Sequence, residues 1–71
     1  MKEKMTRAEF VEGFETEWRS QCQYNSEYES VEENLMSLWD ATLDTCSEDY
    51  DMPRFKITAA EKKKYLKWAE E

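Results

Sequence analysis

"SVEENLMSLWDATLDTC", residues 30–46, decides how this chain folds. Ser30 opens it as an N-cap, and Glu33 three positions on completes the S/T-x-x-E signature of a helix start. Val31, Leu35, Leu38, Trp39, Thr42 and Cys46 then recur at helical spacing, which makes one stripe apolar and in need of cover. Glu33, Asp40 and Asp44 fall on the opposite face, with Ser37 filling the gap in the row. The pattern predicts a helix over roughly residues 31–46 with one face for a core and one charged face for solvent or a partner.

Working outward, the same start signature occurs at "TRAE" (Thr6, Glu9) and "TAAE" (Thr58, Glu61). Met5 and Phe10 sit where a hydrophobic staple would pair them across the first of these starts. A first helix over roughly 7–23 carries Phe10, Val11, Phe14, Trp18 and Cys22 on one face, slightly weakened by Gly13. A third helix, from 59 to the end, offers Tyr65, Leu66 and Ala69, with Trp68 on an adjacent face. "QYNSEYES" between the first two has turn composition. In "SEDYDMPRFKI", before the third, Phe55 and Ile57 alternate with Arg54 and Lys56, leaving room for one short strand near 54–58. Pro53 confines such a strand to a start or an edge. A lone strand needs a partner, which a second subunit could supply. The fold expected is mainly α: a single small three-helix domain over residues 1–71.

Composition agrees with a folded domain. Three Trp, four Tyr and three Phe among 71 residues are too much buriable surface for a disordered tail. Only one Gly and one Pro interrupt the chain. A chain this short builds one small core and often relies on a partner subunit, so a homodimer is expected. Lys2 and Lys4 are followed by no apolar run of signal-peptide character, and no stretch approaches the about 18 apolar residues of a membrane span. A cytoplasmic protein without membrane association is the expectation.

The charge distribution is strongly uneven. The whole chain carries −7, but residues 9–51 carry 13 acids against Arg19 alone, while residues 1–8 and 52–71 are net basic. Asp40 and Asp44 stand about 6 Å apart along the predicted helix axis, a like-charge spacing that costs a few tenths of a kcal/mol. Glu48, Asp49 and Asp51 gather at or beyond the helix C-terminus, where the macrodipole favours cations. Local stability therefore opposes this arrangement. A solvated acidic face can serve solubility alone, but mixed charge would serve it equally well. The reading favoured is a negative surface for a basic partner, formed by Glu33, Asp40, Asp44, Glu48, Asp49 and Asp51. Tyr28 and Tyr50, each beside acids, are expected to join it, as Tyr in such settings is typical of contact surface. Tyr24 and Phe55 also lie in connections, whereas Phe10, Phe14, Trp18 and Trp39 are expected in the core.

Basic protein surfaces mostly exist to hold nucleic acid, whose duplex carries one negative charge per roughly 1.7 Å of axis. A carboxylate row at regular spacing could occupy such a surface, and direct nucleic-acid binding by the chain itself is not expected. Lys62, Lys63, Lys64 and Lys67 complement their own helix dipole or contact the acidic body of a second subunit. No enzymatic reading survives: without His there is no Ser-His-Asp or Cys-His arrangement, and the carboxylates lie on polar faces rather than in apolar pockets. "DATLDTCSEDYD" lacks the alternate-position aspartates and turn glycine of a calcium loop, and two thiols without His make no zinc site. No metal or cofactor is expected. In an antiparallel hairpin of the first two helices, Cys22 and Cys46 would be on the order of 20 Å apart, beyond disulfide reach.

In its acidic body, residues 9–51, and its wealth of aromatics, the chain resembles the small host-takeover inhibitors made by bacteriophages, several of which are DNA mimics. The resemblance lies in general character and assigns no residue roles. It implies an inhibitor that blocks a host DNA-binding protein, such as a nucleoid-associated HU protein, a repair glycosylase, a restriction enzyme or a CRISPR effector. The alternative is a helical adaptor or regulatory subunit that binds through an apolar and aromatic patch including Trp68 and the loop tyrosines, with its acids serving solubility.

Overall fold

A computed structural model describes residues 2–21 and 30–70. Its elements run β1 (Glu3–Lys4), α1 (Arg7–Gln21), α2 (Val31–Asp49), β2 (Tyr50–Asp51) and α3 (Ala59–Glu70). All three helices begin one residue after the N-cap read from the sequence. At α1, Thr6 N–H and Oγ1 donate to Glu9 Oε1 while Glu9 N–H donates back to Thr6 Oγ1, a reciprocal box that holds the Glu9 carboxyl below its usual pKa. At α3, Thr58 N–H donates to Glu61 Oε1 and Glu61 N–H to Thr58 Oγ1. At α2, Glu33 N–H donates to Ser30 Oγ at 3.1 Å. Ser30→Ala leaves that donor without its partner and is expected to cost about 1 kcal/mol. Thermal unfolding checks this: the midpoint should fall by about 4–8 °C, and an unchanged midpoint means that the cap contributes nothing.

β1 and β2 pair in parallel, with Glu3 opposite Tyr50 and Lys4 opposite Asp51. β1 precedes α1 and β2 follows α2, so the start of α1 lies beside the end of α2 and the two helices form an antiparallel hairpin. α3 lies across it. Trp18 Nε1 donates to Tyr65 O at 3.0 Å, and Arg7 at the head of α1 donates to both Glu61 carboxylate oxygens at 2.5 and 2.6 Å.

The core is aromatic. Phe10, Phe14, Trp18, Leu35, Trp39, Leu43 and Tyr65 are all buried, and Phe10 and Phe14 both pack edge-on to Trp39 at centroid distances of 4.9 and 4.8 Å. The four aromatics expected inside are inside. On α2 the buried line is Leu35, Trp39 and Leu43, while Val31, first in the apolar stripe, is 45% exposed because the stripe rotates away from the hairpin at the helix start.

The short strands lie elsewhere than residues 54–58. Phe55 and Ile57 do turn inward and Arg54 and Lys56 outward, but the carbonyls of this segment are taken by side chains. Trp39 Nε1 donates to Phe55 O at 3.0 Å and Arg7 Nη2 to Lys56 O at 2.8 Å, which leaves no ladder to form. The observed strand finds its partner within the chain, so strand pairing gives no reason for a second subunit. α2 also runs on past Cys46 to Asp49. Its terminal carbonyls are satisfied by Tyr50 N–H, which donates to Cys46 O, and by Lys2 Nζ, which donates to Ser47 O at 3.0 Å. No helix among the described residues is long and apolar enough to cross a membrane.

Candidate protein-binding surfaces

Glu33, Asp40, Asp44 and Glu48 are all exposed on α2. At 3.6 residues per turn they fall within an arc of about 80° and span about 22 Å of axis. The row is carried by the same helix whose other side holds Leu35, Trp39 and Leu43 in the core, so its direction is fixed by packing. Asp49 stands about 100° further round the helix, where its charge, after burial, raises the Cys46 thiol pKa. Asp51 and Tyr50 lie on β2, Asp51 exposed and Tyr50 half-buried. The six acids are thus one row and one terminal group, not a single patch. Tyr28, with Tyr24 and Cys22, lies outside the described residues. Phe55, read from the sequence as lying in a connection, packs on Phe10 at 5.7 Å. Cys46 is a free thiol.

The acidic stretch is partly compensated, from positions far away in the sequence. Arg54 Nη1 reaches Asp44 Oδ1 at 2.7 Å; both side chains are more than half exposed, so the pair adds little stability but neutralises one member of the row. Lys2 supplies the cation that the last turn of α2 lacks. The basic α3 is also used within the chain: Lys62 pairs with Glu32, and Lys64 pairs with Glu15 at 3.0 Å. Tyr65 Oη donates to the same Glu15 oxygen at 2.9 Å, and burial followed by that carboxylate raises its pKa. These cations hold α3 onto the acidic body and need no second subunit to receive them. Glu33, Asp40, Glu48, Asp49 and Asp51 form no ion pair among the described residues.

Trp68 is largely occupied. Tyr65 meets it edge-on at 5.3 Å, and Arg19 and Lys64 stand 4.5 and 5.0 Å from its ring centroid. Open apolar surface lies elsewhere: in a groove of about 410 Å³ between α1 and α2, away from α3, and in one of about 490 Å³ between α2 and residues 54–57, lined by Met36, Leu43 and Ile57. Phe10, Leu38 and Cys46 form its floor, Glu9 and Glu17 edge it on α1, and Ala41 and Thr45 edge it on α2. The signal for this groove was present in the sequence as small residues at helical spacing, Gly13 on one helix and Ala41 with Thr45 on the other, but apolar periodicity points to what is buried and passes over such positions. Among the described residues no group of three metal-ligating side chains comes together. Comparison with protein families, characterised proteins and solved structures finds no match to this chain.

Proposed function

We propose that this chain is a binding protein, not an enzyme, that occupies the basic nucleic-acid-binding surface of a partner protein as a DNA mimic. In this reading it acts in the cytoplasm, in the manner of the small inhibitors that bacteriophages direct against host DNA-binding proteins. The observation that carries the reading is the segregation of charge. Lys62, Lys64 and Arg7 pair with Glu32, Glu15 and Glu61 where α3 meets the hairpin, while Glu33, Asp40 and Glu48 on the outer face of α2 keep their charge unpaired among the described residues. A rigid row of carboxylates offers a basic site what a phosphate backbone offers, without bases to read.

The test is capture of the partner from bacterial lysate at low ionic strength, elution in salt steps, and competition of the captured protein with duplex DNA. Affinity should fall steeply with salt, and Asp40→Asn with Glu48→Gln should weaken it about tenfold. Persistence of the complex at about 1 M salt, where the Debye length is only about 3 Å, or normal DNA binding by the partner within the complex, rules the reading out. A second reading, a helical adaptor that binds through apolar surface, is favoured by the open α1/α2 groove rather than by Trp68; on that reading the Asp40 and Glu48 substitutions leave affinity unchanged. A homodimer remains a proposal, resting on the small core alone.

A further inference from the structure

The α1/α2 groove holds a residue that the fold does not require. Gly13 sits in the middle of α1 with ordinary helical backbone, and a Cβ there would meet nothing within 4 Å. Glycine inside a helix is less stable than alanine, and neither packing nor backbone conformation here asks for it. Its effect is to leave the groove open to the backbone, which is what close approach of another chain segment needs. The dimensions match a helix. From Glu9 to Glu17 is about 12 Å of axis, and an apolar i, i+4, i+7 face on a docked helix spans about 10.5 Å.

The edges state the charge of the occupant. The α1 edge carries Glu9 and Glu17, with Glu12 on the same outer side of the helix. The α2 edge is small and neutral: the Thr45 hydroxyl already donates to Ala41 O at 3.0 Å. A second copy of this chain could best meet the acidic edge with its basic α3, whose Lys62 and Lys64 are already paired with its own Glu32 and Glu15.

We propose that the groove between α1 and α2 docks a short amphipathic helix of a partner protein. Its apolar face lies over Gly13 and Leu38, and Lys or Arg along one flank faces Glu9 and Glu17. This site goes beyond the acidic row of α2: the groove's lining residues on α2 are centred about 130° round the helix from the row, which adjoins the groove only at Glu48, on the line of Ala41.

The probe is a designed helical peptide of about 18 residues, long enough to hold helix, with Leu at i, i+4 and i+7 and Lys on one flank. Controls are the same peptide with Gln for Lys and a scrambled sequence. Titration by NMR should shift resonances of residues 9–17 and 38–46 in the native chain, with the Gln peptide and the scrambled peptide at least about tenfold weaker. Gly13→Leu projects a side chain into the groove from a position where a Cβ meets nothing within 4 Å. It should leave the thermal midpoint unchanged or higher while weakening the peptide about tenfold or more, whereas Glu33→Gln with Asp40→Asn should leave the peptide's affinity within about threefold. No binding below about 1 mM, shifts mapping to another face, or equal affinity for Gly13→Leu overturns the proposal. Concentration-dependent self-association that Gly13→Leu abolishes also overturns it, by assigning the groove to a second copy.

Discussion

Trp39→Ala is expected to remove most of the stability of the fold. Trp39 is 2% exposed and is the ring on which the hairpin closes, with Phe10 and Phe14 of α1 both packed edge-on against it. It also fixes the segment before α3, since Nε1 donates to Phe55 O at 3.0 Å, and the Arg7 guanidinium lies 5.9 Å from its ring centroid. Truncating a buried Trp costs about 3–5 kcal/mol through lost burial and the cavity left behind. A domain of this size has about 4–10 kcal/mol in all at ordinary per-residue stabilities, so most of the margin goes. Far-UV circular dichroism should show the midpoint lowered by at least about 15 °C, and a fall under about 5 °C would contradict Trp39 as the closing ring. Trp39→Phe separates the two contributions. It keeps an aromatic ring but leaves the Phe55 carbonyl without its donor, and should cost about 1–3 kcal/mol.

How far these features could be read from sequence depends on the range of the interaction. The helix starts were legible because each is closed by partners three residues apart: Thr6 with Glu9, Ser30 with Glu33, Thr58 with Glu61. The inward aromatics were legible because helical periodicity reports burial directly. The end of α2 was not, because the donor to Ser47 O is Lys2, 45 positions away, and local signals placed only acids there. The strands were misplaced for a related reason. Alternation at Phe55 and Ile57 correctly gave which side chains turn inward, but whether a carbonyl joins a ladder depends on what reaches it, and here Trp39 and Arg7 reach it first. The acidic surface was legible in outline, yet Arg54 on Asp44 and the lysines of α3 on Glu15 and Glu32 required the tertiary structure. Charge counting along a sequence gives the net field; it does not give the pairs that divide a compensated side from an open one.

Glu61→Gln is expected to remove a large part of the acid sensitivity of the fold. The Glu61 carboxylate accepts from both Arg7 guanidinium nitrogens and from Thr58 N–H, so one side chain closes the N-terminal box of α3 and ties that helix to the head of α1. Its hydrogen bonds from Arg7, chiefly, lower its pKa from 4.5 to about 2 against the opposing effect of burial. A carboxyl depressed in the folded state contributes stability that is present above its unfolded value and is lost as pH falls from about 4.5 through about 2. The full shift corresponds to roughly 3 kcal/mol; with Glu61 17% and Arg7 38% exposed, solvent screening reduces this to about 1–2 kcal/mol. Acidification also reduces the net negative charge of the whole chain, −7 near neutrality, and so relieves its self-repulsion, which acts in the opposite direction. The measurement is therefore a difference: urea unfolding near pH 7 and near pH 2.5 for the native chain and for Glu61→Gln. The native chain should lose about 1–2 kcal/mol more on acidification than the variant, since glutamine keeps one oxygen to accept from Thr58 N–H but carries no charge to titrate and puts an NH2 donor where Glu61 Oε2 accepts from Arg7. Glu61→Ala, which removes the cap as well, should be about 1 kcal/mol less stable than Glu61→Gln near pH 7. Equal loss in the native chain and Glu61→Gln would mean that Arg7 and Glu61 merely lie together and that α3 is held by Tyr65, the aromatic core and the pairs of Lys62 and Lys64.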